Sequence, residues 1–244
     1  MIYIVTNHHN HDRFLNLQAK YIHKYTEGKY KVYCGLSQVR DPRADPQYVA
    51  NHSFFDLSQV KNDHGVKMNY LSALIKEKED IGSDDLLVFL DGDAFPIDFW
   101  DTRTRSYKKE HPLVAVNRIE NIEPLMPESH KPYPHLLFVA TGAKFWFDND
   151  LSWERDIEKD ILAYGPLLKF WFEENGYSSK ALIRSNAVDI HPLFFGVYDD
   201  LIYHHGSASG NPTVYDSFDV WSRKKLNDTE EIHIKYCDLD LRYP

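Results

Sequence analysis

Cysteine is scarce in this chain: its 244 residues hold two, Cys34 and Cys237. They form no C-x-x-C pair, so neither a disulfide framework nor a cysteine-rich zinc site is expected, and a reducing, cytoplasmic setting is. Basic charge is also short. Against 37 Asp and Glu stand 28 Lys and Arg, a formal charge of −9, so no broad electrostatic footprint for nucleic acid is expected. No apolar run approaches the roughly 20 residues of a membrane span. The N-terminal "MIYIVTNHHNHDRF" has too short an apolar stretch for a signal peptide. Peripheral attachment to a membrane surface is the membrane role these absences leave open. Internal repeats and low-complexity segments are missing as well, so one domain is expected, with a less regular tail at 211–244.

What is present suffices for a large core: 43% of the residues are hydrophobic and 14% aromatic. "MIYIVTN" reads as a first strand and "HDRFLNLQAKYIHKY" as a following helix with Asp12 at its N-cap. "KVYCGLS" gives a second strand and "SFFDL" a short third, with a helix over about 64–79 from the spacing of Val66, Tyr70, Leu71, Leu74 and Ile75. Further strands are expected in "LLVFL", "PLVAVNR", "HLLFVAT", "ALIRS" and "FFGVYDDLIYHHG", and further helices in "LSWERDIEKDILAYG" and "GPLLKFWFEENG". Strands alternating with helices from the first residue predict an α/β sheet. The uninterrupted apolar run of "LLVFL" predicts burial on both faces, as at the centre of a mostly parallel sheet.

That run ends in "DGDAFPI", with Asp91 and Asp93 at the carboxyl end of the strand, where open α/β sheets collect ligands. Gly92 between them allows the backbone to come close to a ligand or metal. Two carboxylates so near one another repel unless a cation or a proton is shared. Oxygen ligands at a strand end suit magnesium or manganese. The plainer reading is a solvated D-G turn, and the core residues on both sides of the pair argue against it.

"DDLLVFLDGDAFPI" resembles the D-x-D segment of GT-A glycosyltransferases, in which an apolar strand leads to an acidic pair holding a divalent metal against the diphosphate of a nucleotide sugar. "IYIVTN" is similar to that family's first nucleotide-binding strand, and "LIYHHGSASG" to its late strand carrying a metal-binding histidine. The resemblance implies a single GT-A-like, Rossmann-like domain whose central sheet is mixed, mostly parallel and flanked by helices. Residues 1–100 would form the nucleotide-binding half and 101–210 the acceptor and donor-sugar half. It implies Mn2+ or Mg2+ bound by Asp93, with Asp91 sharing the metal or touching the ribose, and one of His204 and His205 completing the site. Strand alternation sends those two histidines to opposite faces, so one of them serves. Thr6 and Asn7 would contact the nucleotide base, although "NHHNH" itself reads as an exposed loop. The implied activity is hexosyltransferase-like: a UDP-sugar donor, and a glycan or lipid-linked acceptor of the kind used in polysaccharide biosynthesis.

An inverting transfer needs a carboxylate to take the acceptor's proton. Asp156 is the first candidate and Glu154 the second, both in "DLSWERDIEKD" after "FVATGAKFW", which resembles the segment lining donor sugar and acceptor. They read equally well as solvated helix charges paired with Arg155 and Lys159, and a retaining enzyme needs no such base. His64, Lys67 and Asn69 are expected near a helix N-terminus, which favours anions. There Lys67 either assists the diphosphate or is an ordinary surface lysine. Trp146, Trp153, Phe170 and Trp171 are read as core aromatics ahead of sugar-stacking ones. Two rival functions remain. A haloacid-dehalogenase-like phosphatase would use Asp91 as nucleophile, but lacks its following Gly-Thr here. A non-catalytic carbohydrate-binding protein on the same fold would not hydrolyse nucleotide sugars with manganese.

Overall fold

A computed structural model of the chain describes residues 1–10, 12, 14–39, 42–118, 132–156, 158, 161, 163–185 and 196–205. The expected tail at 211–244 lies outside them. β1 (Ile2–His9) is the hub of a seven-stranded sheet. It pairs in parallel with β2 (Tyr30–Ser37) on one side and with β4 (Leu86–Leu90) on the other, and β3 (His52–Asp56) extends β2 in parallel. Beyond β4 comes β7 (Tyr133–Gly142), antiparallel to both β4 and β6 (Leu113–Arg118), and β8 (Ser179–Leu182) closes the sheet parallel to β6. The order is β3-β2-β1-β4-β7-β6-β8, with β7 alone running against the rest. The sheet is therefore mixed and mostly parallel, as expected.

Central strands must be apolar on both faces, and these are. Ile2 and Ile4 of β1, with Leu86, Val88 and Leu90 of β4, pack on the face covered by α1 (Leu15–Tyr25) and by Trp100 of α3 (Trp100–Tyr107). Tyr3, Val5, Leu87 and Phe89 pack on the other, against α2 (His64–Lys78), α4 (Ala143–Asp148) and α5 (Pro166–Glu174). Trp146 and Trp153 are core residues on that second face, with ring centroids 4.8 and 5.3 Å from Phe89. Trp171 stacks on Tyr177 at 5.7 Å.

Several local expectations give way to tertiary contacts. Residues 151–155 form no helix; among the described residues of the segment Asp156 bridges Ile161, and α5 starts at Pro166. The backbone of Trp153 is taken by the Asn69 side chain, which accepts from its N–H at 2.8 Å and donates to its carbonyl at 2.9 Å. A helix there would need that carbonyl for the N–H four residues on. Asp12 does not cap α1; Phe14 holds that position, and the Asp12 carboxylate accepts from the Arg43 N–H at 2.8 Å. Asn7 and His8 are buried strand residues rather than loop. The stretch expected as one strand in 194–206 is, where described, a hairpin of β9 (Gly196–Tyr198) and β10 (Ile202–His204). Asp199 and Asp200 turn it with φ of 49° and 54°, the left-handed pair that matches strand twist. α3 and α4 were not expected from the sequence.

Candidate functional site

The site is built by a tight turn. The Ala94 N–H donates to the Asp91 carbonyl at 3.0 Å, closing a four-residue turn over Asp91, Gly92, Asp93 and Ala94. The D-G turn is therefore real, but it is not a solvated one: Gly92, Asp93 and Ala94 are buried. Gly92 is needed for a reason other than ligand approach. A Cβ there would stand 2.5 Å from the Asn7 carbonyl oxygen, so the turn lies against the end of β1.

From the turn the chain enters β5 (Ala94–Pro96), which leaves the large sheet and pairs antiparallel with β10, setting His204 opposite Ala94. The His205 N–H donates to the Asp93 carbonyl at 3.0 Å and fixes that register. As a result His204 Nε2 lies 3.4 Å from Asp93 Oδ1 and 3.9 Å from Asp91 Oδ2. One ligand atom from each of Asp91, Asp93 and His204 falls within 4.8 Å of the others. The His205 ring points the other way, 4.8 Å from the Phe14 ring and with Nδ1 3.3 Å from the Tyr203 hydroxyl. Of the two histidines, His204 joins the carboxylates.

Electrostatically the turn is unfavourable by itself. The Asp91 carboxyl is held above its ordinary value, first by removal from bulk water and then by the Asp93 carboxylate, with His64 and His204 opposing. Some 30% of its side-chain surface still meets solvent. His64, the first residue of α2, brings Nε2 to 3.6 Å from Asp91 Oδ1. That nitrogen is buried and has no hydrogen-bond partner among the described residues. Sequence reasoning placed His64 at a helix N-terminus but not beside the acidic pair, because nothing local links residues 64 and 91.

Around His64 the first turn of α2 is heavily tied down. Asp63 caps the helix, accepting from Val66 N–H at 3.0 Å, and also accepts from the Tyr164 hydroxyl at 2.6 Å and from Arg155. Burial works to raise the Asp63 carboxyl, but these donors outweigh it and hold it below its ordinary value. Lys67 is not a surface lysine: it is 4% exposed, its ammonium donates to Asn62 Oδ1 at 3.0 Å, and burial depresses its pKa. Arg155 pairs with Asp63 rather than along a helix, so the helical pairing expected for Glu154 and Asp156 is not found with Arg155, and Lys159 lies outside the described residues. Glu154 is exposed and accepts from Ser152 Oγ at 2.8 Å, while Asp156 is half-buried in the loop that leans on α2. The side chains of Thr6 and Asn7 are engaged inside the protein. The Thr6 hydroxyl donates to Gln18 Oε1 at 3.0 Å and Asn7 Oδ1 accepts from Ser37 Oγ at 2.8 Å.

A mixed, mostly parallel seven-stranded sheet flanked by helices is the fold of the GT-A glycosyltransferases. The likeness to solved structures is one of fold. The mannosyltransferase PcManGT from Pyrobaculum calidifontis, in complex with GDP-Man and Mn2+, matches 74% of this chain and 54% of its own at 13% identity, with a TM-score of 0.50. The galactosyltransferase LgtC, in complex with donor and acceptor sugar analogs, matches 70% of this chain and 70% of its own at 14% identity, with a TM-score of 0.46. TarS of S. aureus, residues 1–349, matches 63% of this chain and 50% of its own at 12% identity and a TM-score of 0.41. The chain thus spans about half the length of PcManGT and of that TarS fragment. No protein-family model and no curated protein matches the sequence.

Proposed function

We propose that the chain is a divalent-metal-dependent glycosyltransferase that moves a sugar from a nucleoside-diphosphate donor to an acceptor hydroxyl. The observation that carries this reading is the convergence of Asp91, Asp93 and His204 at the carboxyl end of β4. The donor set fits a hard or borderline divalent ion: two carboxylates that repel one another without a cation, plus one imidazole. Asp93 and His204 would hold Mn2+ or Mg2+, with Asp91 sharing it or reaching the ribose. When bound, such an ion neutralises the charge that builds on the departing diphosphate.

The remaining work falls to the chain itself. Lys67, a buried ammonium in the first turn of α2, supplies positive charge next to the helix N-terminus for the phosphates. Asp156, on the loop docked against that turn, is the choice for accepting the acceptor's proton if configuration inverts, ahead of Glu154. A UDP-sugar donor and a glycan or lipid-linked acceptor follow from the family resemblance, and the GDP-Man of PcManGT supports a nucleotide sugar in general.

The test is a melting-temperature screen of UDP- and GDP-sugars with and without Mn2+, followed by assay of donor hydrolysis. A ligand at about 100 times its Kd stabilises the native state by about 2.7 kcal/mol. A rise beyond that given by Mn2+ alone is expected only when sugar nucleotide and metal are both present. No rise with any pair, or a rise without hydrolysis, contradicts turnover, the latter favouring the non-catalytic binder. In the same assay His204→Ala is expected to weaken Mn2+ binding by at least about tenfold. His205→Ala is expected to lower the melting temperature through lost contact with Phe14 while leaving metal affinity near that of the unaltered protein.

A further inference from the structure

Resting on the metal-site reading above, we propose that Gln18 is the positioning residue of the acidic turn. It sits on α1, remote in sequence from the carboxylates, and is 1% exposed. A primary amide offers two donor hydrogens and two acceptor positions, and here all four are used. Nε2 donates to the Asp91 carbonyl and to the Ala94 carbonyl, both at 2.7 Å. Oε1 accepts from the Thr6 hydroxyl at 3.0 Å and faces His8 Nε2 at 3.2 Å. The orientation of the amide is dictated by its partners. Two carbonyls can only accept, so the nitrogen must face them, and His8 must then carry its proton on Nε2.

The consequence lies in which carbonyls are gripped. They belong to the first and last residues of the turn whose first and third residues carry the carboxylates. One side chain thus closes the turn from outside and ties it to β1 through Thr6 and His8. Without a cation the two carboxylates push the turn open. Gln18 opposes that opening by holding the backbone, so the ligand oxygens are spaced for a metal before one arrives. Neither Thr6, His8 nor Gln18 contacts the metal position in this account; they act through the turn.

Two substitutions separate positioning from simple packing. Gln18→Leu keeps the volume and removes every polar atom. Gln18→Glu keeps the accepting half toward Thr6 and His8 and sets a carboxylate against two carbonyls. The readouts are Mn2+ affinity by titration, the width of the Mn2+ electron paramagnetic resonance spectrum, and thermal melting, all on folded protein. Affinity is expected to fall about 10–100-fold in both variants, more in Gln18→Glu, with a broadened spectrum. Should neither variant fold, Thr6→Val removes one bond to Gln18 and no atom of the turn. A severalfold weaker affinity is then expected. Lowered melting temperature with unchanged Mn2+ affinity and spectrum overturns the proposal, and so does unchanged affinity in Thr6→Val. Absence of Mn2+ binding in the unaltered protein overturns the metal-site reading along with it, whereas equal affinity in unaltered protein and variants overturns the role of Gln18 alone.

Discussion

Replacing Asp93 by alanine is expected to abolish metal-dependent donor binding and to lower turnover by at least about 100–1,000-fold, or about 3–4 kcal/mol of barrier. Asp93 is buried and its Oδ1 is the oxygen nearest His204 Nε2, at 3.4 Å. Without it only one carboxylate and one imidazole remain of the group that converges at the end of β4. The same substitution carries a second signature, opposite in sign, that needs no substrate. Asp91 is raised above its ordinary value by burial and by Asp93, so its folded-state pKa exceeds its unfolded one. Ionised Asp91 therefore opposes folding. That cost sets in above the ordinary carboxylate value, about 3.9, and grows until pH passes the raised folded pKa. Asp93→Ala removes one cause of the rise. In the presence of a chelator the variant is expected to melt above the unaltered protein near neutral pH, with the gap closing toward pH 4. With excess Mn2+ the order reverses, because only the unaltered protein gains from the metal. Near-normal turnover in Asp93→Ala, or the same order of melting temperatures with and without metal, would falsify the assignment of this carboxylate.

Some of this was legible in the chain and some was not, and the division is physical. β1, β2, β4 and β7 were visible because a strand covered on both faces must be apolar without interruption, and "IYIV" and "LLVFL" meet that demand. The position of the acidic pair was visible for the same reason, since charge that follows immediately on a buried strand has few places to go. Which histidine faces it was not, because that depends on the register of β10 against β5, set by contacts between residues some hundred positions apart. The segment at 151–165 has an apolar spacing that suits a helix, yet Asn69 takes the backbone of Trp153 and Asp63 takes Arg155. Periodicity reports what a segment prefers alone, and these two side chains outbid it. Lys67 reads as a surface residue from sequence, yet it is buried, with its ammonium bonded to Asn62. Gln18 carries no local signal at all: its four partners come from β1 and from the turn after β4.

Gly92→Ala should then damage the site without touching a charge. The added Cβ would meet the Asn7 carbonyl oxygen at 2.5 Å and His8 Nδ1 at 3.2 Å. Neither can retreat cheaply. The Asn7 backbone lies in the β1–β2 ladder opposite Gly35, and its side chain is held by Ser37. The turn must move instead, and in moving it strains the bonds from Gln18 to Asp91 and Ala94 and from His205 to Asp93. Overpacking of this kind typically costs about 1–3 kcal/mol, and displaced ligand carboxylates are expected to weaken Mn2+ binding by about 10–100-fold. Gly82→Ala serves as the control, since a Cβ there meets nothing closer than 3.5 Å, at the Asp85 carboxylate. It should change stability by no more than about 0.5 kcal/mol and leave metal affinity alone. Urea unfolding and Mn2+ titration of the two variants side by side decide the matter. If they behave alike, the contact between the turn and β1 does not set the geometry of the carboxylates, and glycine at position 92 is there for another reason.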